Sequence, residues 1–123
     1  MAGKDFGGKM TVTSSAGYRL SLRGTISVMP SAQSNDSVTN QDGSVDRTMT
    51  PTAPAAELSV RDDGLDWNTR LNGPRENITI VEEQTGVTHL FTGAFWSGRP
   101  SLNRINGEIG GISIVADYYR RLG

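Results

Sequence analysis

The residues from Tyr18 to Val28 alternate strictly between apolar or small side chains and polar ones. Successive side chains of a β-strand point to opposite faces of the sheet, so this period of two predicts one long strand with a buried face and a wet face. Gly24 interrupts the buried series in mid-strand, which predicts a bulge or the close approach of another backbone. The fold must therefore contain a β-sheet that is polar on one side.

Further strands are predicted on both sides of this run. Residues 9–13 and the turn 14–17 should form a hairpin with it. Apolar alternation resumes at 56–61, and the last third of the chain has the pattern of a meander, with a turn at 84–86 and another at 97–100. The predicted strands of the meander are 77–83, 87–96 and about 104–118, the last with a bulge or bend at Gly110-Gly111. The fold class is mainly β, an antiparallel β-sandwich or barrel-like domain.

One short helix is predicted at about 65–71. Leu65, Asn68 and Leu71 have helical spacing, and Trp67 lies close to that face. Asp63 is the expected N-cap, and the sequence Asn72-Gly73-Pro74 should end the helix.

The periodicity is lost between residues 30 and 54, and a long extended loop is expected there. Val38, Val45 and Met49 are its sizeable apolar residues. The turn signal at Asn40-Gln41-Asp42-Gly43 favours an extended excursion with two arms. A structureless loop of this length is usually functional or disordered, and in an oligomer its apolar residues would find partners on a neighbouring subunit.

Composition removes several classes of function. The 12 basic and 13 acidic residues give a net charge of −1, so bulk charge provides no general grip on nucleic acid. The chain contains no cysteine, which excludes disulfides and thiolate chemistry. No signal peptide or apolar run long enough for a membrane anchor is present, so we expect a soluble protein made in a cytoplasm. At 123 residues we expect a single domain over 1–123, with glycine-rich residues 1–8 flexible unless an interface holds them.

No catalytic, metal or cofactor constellation is evident. The adjacent acids at 62–63 and at 82–83 point to opposite faces of a strand, so neither pair converges on one substrate. His89 has no Ser or Asp beside it in a nucleophile motif, and a histidine satisfied by a strand neighbour is the favoured interpretation. Residues 40–46 resemble half a calcium loop, but Pro51 stands where the bidentate Glu is required. We therefore predict no enzyme activity, no bound metal and no cofactor.

The aromatic residues leave an alternative from another class. Trp67 and Trp96, exposed in one groove, would suit a carbohydrate-binding β-sandwich, although most of the aromatic side chains fall on the buried periodicity. Long half-polar strands, a long polar loop and the lack of a catalytic constellation together favour an assembly protein.

Five stretches carry a family resemblance. They are the strand 18–28, the stretch 40–48 leading to Pro51-Thr52-Ala53-Pro54, the acidic turn and helix at 62–71, the stretch 88–100, and Asn106-Gly107-Glu108 with the closing strand. In this order and chain length the sequence resembles the phage tail tube proteins of contractile-tailed, Mu-like bacteriophages. No stretch is a catalytic signature, and the resemblance spans nearly the whole chain.

The resemblance implies a structural virion protein. Members form hexameric rings whose inner strands make one β-barrel around a channel, and the stacked rings form the inner tube through which DNA is ejected into the host. The implied partners are further copies, the tail sheath, baseplate and terminator proteins, a tape measure protein in the lumen, and double-stranded DNA that passes without specific binding. Assembly would occur in the host bacterial cytoplasm. The tube of a phage-tail-like bacteriocin or secretion device is the alternative within this architecture.

The resemblance also implies roles for particular residues. A channel wall must have mixed or negative charge, because a basic wall would trap the genome. The expected channel-lining residues are Ser21, Thr25, Ser27, Glu57, Ser59 and Glu108. The expected intersubunit ion-pair residues are Arg19, Arg23 and Arg61. The expected inter-ring stacking residues are Asn35, Val38, Asn40, Asp42, Gly43, Val45, Asp46, Arg47 and Met49.

Overall fold

The computed structural model describes residues 3–64 and 66–123 of the chain. The described residues form nine strands and one short helix, in the order β1 (Met10–Ser14), β2 (Arg19–Met29), β3 (Gln33–Thr39), β4 (Val45–Pro51), β5 (Ala55–Arg61), α1 (Trp67–Leu71), β6 (Glu76–Glu82), β7 (Val87–Asn103), β8 (Glu108–Val115) and β9 (Tyr118–Leu122). The prediction of a mainly β, barrel-like fold with one short helix is confirmed. Residues 3–9 are mostly irregular and exposed, and the rest of the predicted flexible segment 1–8 lies outside the described residues.

Six strands close into an antiparallel barrel. Their order is β6-β1-β2-β5-β8-β7, and a further pairing between β6 and β7 joins the two ends. β9 pairs with β7 alone and continues the line of β8. The predicted hairpin of β1 and β2 is present, with Thr11 opposite Ser21.

The interior is filled by the apolar faces that alternation predicts. Ile78 and Ile80 are completely buried, and Phe91 is 1% exposed. Burying a side chain the size of Phe91 contributes about 2–3 kcal/mol. The remaining core residues come from every barrel strand and from the helix, so one core holds the barrel together.

Paired bulges bend the sheet where β5, β7 and β8 meet. The registers shift between Leu58 and Val60 and between Gly98 and Ser101. Gly98 has a φ of +93°, and a Cβ there would lie 2.3 Å from the carbonyl oxygen of Gly111. The bulge predicted at Gly110-Gly111 is confirmed, as is the one at Gly24, where the register with β5 shifts between Leu22 and Ile26.

The helix is shorter than predicted and is capped by a different residue. Asp66 is the N-cap, and its carboxylate accepts a hydrogen bond of 3.0 Å from the backbone of Asn68. Asp63, the expected cap, instead contacts the buried Arg70 at 3.4 Å. The buried residues of the helix are Trp67 and Arg70, whereas Asn68 is exposed, and the predicted start at Leu65 lies outside the described residues. No helix within 3–64 or 66–123 is long and apolar enough to cross a membrane.

Two predicted boundaries in the meander are wrong. The turn expected at 97–100 is part of β7, where Pro100 is tolerated because it lies in the bulge between Gly98 and Ser101. The final strand, expected at about 104–118, begins after a turn at 104–107 and is interrupted at Ala116 and Asp117. The backbone amide of Ala116 bonds to the carbonyl of Pro54 at 2.9 Å, and the amide of Asp117 bonds to the carbonyl of Thr92 in β7 at 3.1 Å.

The expected loop at 30–54 is a β-hairpin. β3 and β4 pair without a bulge from Gln33 opposite Pro51 to Thr39 opposite Val45. The predicted turn joins the two arms, with the Gly43 amide bonding to the Asn40 carbonyl at 3.0 Å. Irregular structure is therefore the wrong interpretation of this segment, and the two-armed excursion is the correct one.

We expect Gly98→Ala to destabilise the barrel more than Gly17→Ala. Both glycines have φ near +93°, but a Cβ at Gly17 meets nothing within 4 Å. The positive φ should lower the free energy of unfolding by about 1–2 kcal/mol in both variants. The contact with Gly111 should add about 1–3 kcal/mol at Gly98 alone. Denaturant unfolding of the two variants measures the difference, and equal losses would contradict the role assigned to the paired bulges.

Candidate assembly surfaces

Two long strands change partners along their length. The start of β2 pairs with β1 at Arg19–Ser21, whereas its residues 22–29 pair with β5 alone. Residues 87–94 of β7 pair with β6, whereas residues 95–103 pair with β8 alone. β2, β5, β8 and β7 therefore continue beyond the closed barrel as a four-stranded sheet, and among the described residues its two outer edges have no strand partner.

The two free edges run in opposite directions. Each neighbouring pair in the order β2-β5-β8-β7 is antiparallel, so the first and last of these four strands are antiparallel to each other. A free edge presents unpaired backbone amides and carbonyls, which can pair with another strand. The β7 edge of one copy and the β2 edge of another therefore have the polarity needed for an antiparallel ladder.

One face of this sheet is polar. Ser27, Glu57, Ser113 and Ser97 stand opposite one another across the four strands. All six residues expected to line a channel lie on this face. Ser21, Thr25, Ser27 and Glu57 are exposed, and Ser59 and Glu108 are half-buried. The structure brings these six residues onto one surface, as their alternation predicts.

Three arginines cluster at the end of this face that is nearest the start of β2. Leu22 stands opposite Val60, which places Arg61 level with Ser21 and between Arg19 and Arg23 on the same face. All three arginines are exposed, and Arg23 donates a hydrogen bond to the carbonyl of Asn106. Within the described chain none of them forms a salt bridge. This group is called the arginine cluster below, and Glu108 stands opposite Arg61 at its border.

A groove follows the free edge of β2. It has a volume of about 780 Å³ and is lined by residues 7–11, 19–22 and 24–26. The pairing of β1 with β2 ends at Ser21, and the groove continues beside the residues of β2 that follow. Its position suits the addition of one more strand.

The β3–β4 hairpin projects from the opposite end of the sheet. Every residue of its two strands is exposed, including Val38, Val45 and Met49 at 50%, 62% and 56%. All nine expected stacking residues belong to this hairpin or its turn. Its conformation does not depend on burial, because its strands are held by their own ladder and by the turn.

The turn of the hairpin is fixed by side-chain hydrogen bonds. Asn40 Nδ2 donates to Ser44 Oγ and to Asp46 Oδ2, each at 3.0 Å. Asp42 Oδ1 accepts from the Ser44 hydroxyl at 2.6 Å and from its amide at 2.9 Å. The bond from the Ser44 hydroxyl has the largest effect and the bond from the Ser44 amide the next largest, and both lower the pKa of the Asp42 carboxyl below its ordinary value. The tip therefore keeps its negative charge.

The faces of the hairpin differ in charge. Asn35 stands opposite Met49, and Ser37 opposite Arg47, on the face that also carries Val45. The other face contains Asp36 and Asp46 in diagonal positions and otherwise Ser34, Val38, Thr48 and Thr50, with no cation. This second surface, residues 34, 36, 38, 46, 48 and 50, is called the acidic face below.

His89 is part of a buried hydrogen-bonded group that joins three strands. Its Nε2 lies 2.5 Å from Glu82 Oε2, and its Nδ1 lies 2.6 Å from the Tyr119 hydroxyl. The residue is 8% exposed. The predicted interpretation as a satisfied strand histidine agrees with this geometry. Tyr119 was not expected from the sequence, because the residue separation of 30 carries no local signal.

The tryptophans lie in the core rather than in a groove. Trp67 and Trp96 are 7% and 4% exposed, and their rings meet edge to face with centroids 5.3 Å apart. The guanidinium of Arg70 is held between the rings of Tyr18 and Trp67, at 4.3 and 4.6 Å from their centroids. The carbohydrate-binding alternative requires both tryptophans to be exposed in one groove. Because both are buried, that expectation is wrong.

The adjacent acidic residues have separate contacts. Asp62 pairs with Arg104 at 2.7 Å, and Asp63 with Arg70. Glu82 contacts His89, whereas Glu83 pairs with Lys9 at 3.6 Å. Across the described residues, His, Asp and Glu form no group of three that could hold a metal ion.

Comparisons with known proteins agree with this architecture. A family model described as phage tail tube protein matches residues 3–112. The chain belongs to the phage tail tube protein family. A comparison with curated protein sequences gives no match.

Solved structures share the fold. Hcp1 from Flavobacterium johnsoniae superimposes with a TM-score of 0.64 at 14% identity, over 94% of this chain and 95% of Hcp1. The sheath-tube complex of the extracellular contractile injection system PVC gives 0.58 at 13% identity, over 94% and 88% of the two chains. The tube-terminating cap of the anti-feeding prophage gives 0.58 at 17% identity, over 93% and 87%. The chain is thus a tail tube protein with a fold found in contractile injection systems, and its family is structural.

We expect Tyr119→Phe to lower the free energy of unfolding by about 1 kcal/mol, because the mutation removes the hydrogen bond to His89. Tyr118→Phe is the matched control, since Tyr118 is 73% exposed, and it should change stability by less than about 0.5 kcal/mol. Denaturant unfolding at pH 7 measures both variants. Equal effects of the two substitutions would contradict the role of this bond.

Alkaline pH gives a second measure of the same group. Burial raises the pKa of the Tyr119 phenol above 10.0, against a lowering effect of Arg121. The stability that the neutral phenol contributes is complete below about pH 10 and is lost as the pH rises through the raised pKa. The free energy of unfolding should fall more steeply between pH 9 and 12 for the wild type than for Tyr119→Phe. Parallel curves would show that Tyr119 titrates normally.

Proposed function

We propose that this protein forms hexameric rings that stack into the inner tube of a contractile, Mu-like phage tail and provide the channel for DNA ejection. The observation that carries the proposal is the four-stranded sheet with two free edges of opposite direction. Copies related by rotation can pair β7 of each subunit with β2 of the next, and the pairing becomes complete when the ring closes. The number six comes from the family resemblance and is tested below.

The polar face suits a channel wall. In a closed ring one face of the continuous sheet looks inward, and we assign this role to the face that carries Ser27, Glu57, Ser59 and Glu108. Hydroxyl and carboxylate groups offer DNA phosphates no cation, so the genome would slide without being held. The nearby Arg19, Arg23 and Arg61 would be neutralised in ion pairs between subunits.

The hairpin suits contact between successive rings. It projects from one end of the sheet with Val38, Val45 and Met49 exposed, and its strands do not pack on the strands of the barrel. Burial against the next ring would remove these side chains from water. We therefore assign residues 35–49 to ring stacking, with Asn40, Asp42, Gly43 and Asp46 shaping the tip.

Further partners follow from the family and from the structures that share the fold. We infer that the outside of the tube contacts the tail sheath and that its ends contact baseplate and terminator proteins. A tape measure protein would occupy the lumen before the DNA. The protein would then be assembled in the host bacterial cytoplasm as one domain of 123 residues and would act in the virion without catalysis.

The tube of a headless particle is the second candidate. The similarity to the PVC and anti-feeding prophage structures favours it, because the first is an extracellular contractile injection system and the second is a tube-terminating cap. A phage-tail-like bacteriocin or secretion device would use the same ring. Capsid, portal and terminase genes beside the coding sequence would identify a phage.

Cysteine cross-linking tests the edge pairing directly, because the natural chain contains no cysteine. We expect Thr25→Cys/Ser101→Cys, with one thiol on each free edge, to give a ladder of covalent oligomers ending at six chains when treated with a short bismaleimide. Negative-stain microscopy of the same sample should show rings or tubes of uniform width. A ladder ending at another number would change the ring size, and monomers alone would contradict edge pairing.

The matched control is Glu57→Cys/Ser113→Cys. These two residues stand opposite each other on the inner strands of one subunit, so their cross-link should stay within the chain. A ladder from this control would show that cross-linking does not report on the edges.

A further inference from the structure

We propose that the acidic face of each hairpin docks on the arginine cluster of a second copy in the adjacent ring. The partner surface is thus Arg19, Arg23 and Arg61, and the docking segment is the face that carries Asp36 and Asp46. This inference rests on the proposed stacking of rings and identifies the two surfaces that meet.

The two surfaces lie at opposite ends of one sheet. The arginine cluster is formed by the first residues of β2 and the last residue of β5, whereas the hairpin is inserted between the last residue of β2 and the first of β5. Rings that stack in one direction bring opposite ends of two copies together. The hairpin of one ring therefore approaches the end of the next ring that carries the arginines.

The charges of the two surfaces match in number. The arginine cluster and the bordering Glu108 together carry a net charge of +2, and the acidic face carries −2 from Asp36 and Asp46. None of the three arginines has a carboxylate partner within the described chain. Bringing the two surfaces together would complete the arginine–carboxylate pairs that each subunit lacks.

The placement of the charges also matches. Asp36 stands opposite Thr48, and Val38 stands opposite Asp46, so the two aspartates are diagonal neighbours on an antiparallel pair. Arg19 and Arg61 lie just beyond the last pair of the β2–β5 ladder, Leu22 with Val60, and both line one pocket there. Each surface therefore presents two like charges side by side, so two ion pairs can form between them.

The hairpin is long enough to reach its partner. Its seven paired positions correspond to about 24 Å at the rise of a β-strand. The hairpin begins at the end of the sheet that faces the junction, so an arm of this length extends across the junction into the next ring. Its other face, with Val45 and Met49, stays available for apolar contacts.

Charge reversal with rescue tests the inference. Asp36→Arg/Asp46→Arg should form rings but no tubes, because like charges would meet at each junction. The hairpin packs on no barrel strand, so the barrel should stay folded although Asp46→Arg removes the bond from Asn40 in the turn, and circular dichroism and thermal unfolding verify this. The chain that carries Asp36→Arg/Asp46→Arg together with Arg19→Glu/Arg61→Glu should regain tubes, because each junction again joins opposite charges.

The matched control is Arg120→Glu/Arg121→Glu. It reverses two exposed arginines of β9, outside the four-stranded sheet, and should leave tubes of wild-type length in electron micrographs. If Asp36→Arg/Asp46→Arg still gives long tubes, the docking inference is wrong and the tube function stands. The inference is also wrong if this variant gives rings and the combined variant does not regain tubes. If the wild type forms neither rings nor tubes, with or without a preformed tail end, both proposals fail.

Discussion

The backbone hydrogen bonds of β2 and β7 determine the rest of the structure. Each strand has one part in the closed barrel, where its neighbours are supplied by the same chain, and one part that pairs on a single side. A free edge in water keeps its amides and carbonyls hydrated, but it remains a template for another strand. The closed part therefore stabilises the subunit, and the open part leaves it able to pair with a strand of another copy. An even number of antiparallel strands between the free edges makes these edges complementary in direction.

Bulges allow one continuous sheet to serve both parts. A strand that leaves a small barrel must change its curvature, and an extra residue without a partner bends and twists the strand locally. The paired bulges at Gly98 and Gly111 lie where β7 and β8 enter the open part, and the close approach of their backbones leaves no room for a Cβ. The direction in which the free edges leave the barrel therefore depends on the bulges at Gly98 and Gly111.

The parts that sequence predicts well are those with a local physical signal. Alternation along 18–28 gives both the strand and its faces, and the paired glycines at 110–111 give a bulge, since each signal lies within one element. β3 and β4 have no such signal, because both of their faces are wet and a strand without a buried face has no hydrophobic period. The pairing of β1 with β6, the contact of His89 with Tyr119 and the extent of β7 through Pro100 depend on residues distant in sequence. Of the candidate residues, alternation predicts which share a face, whereas the arginine cluster appears only when the register of β2 and β5 is known.

The net charge of the chain is −1, but its positive and negative side chains are concentrated in different segments. Arginines collect at the start of β2 and the end of β5, and aspartates collect on the hairpin inserted between these strands. If the two surfaces meet between rings, the arginines near the channel are neutralised only in the stacked tube, so the channel charge is a property of the assembly. Such a tube has unlike ends, because one end presents unpaired arginines and the other presents unpaired acidic hairpins. A protein that caps the first end needs carboxylates, whereas one that caps the second needs cations, and this difference would give each end its own partner.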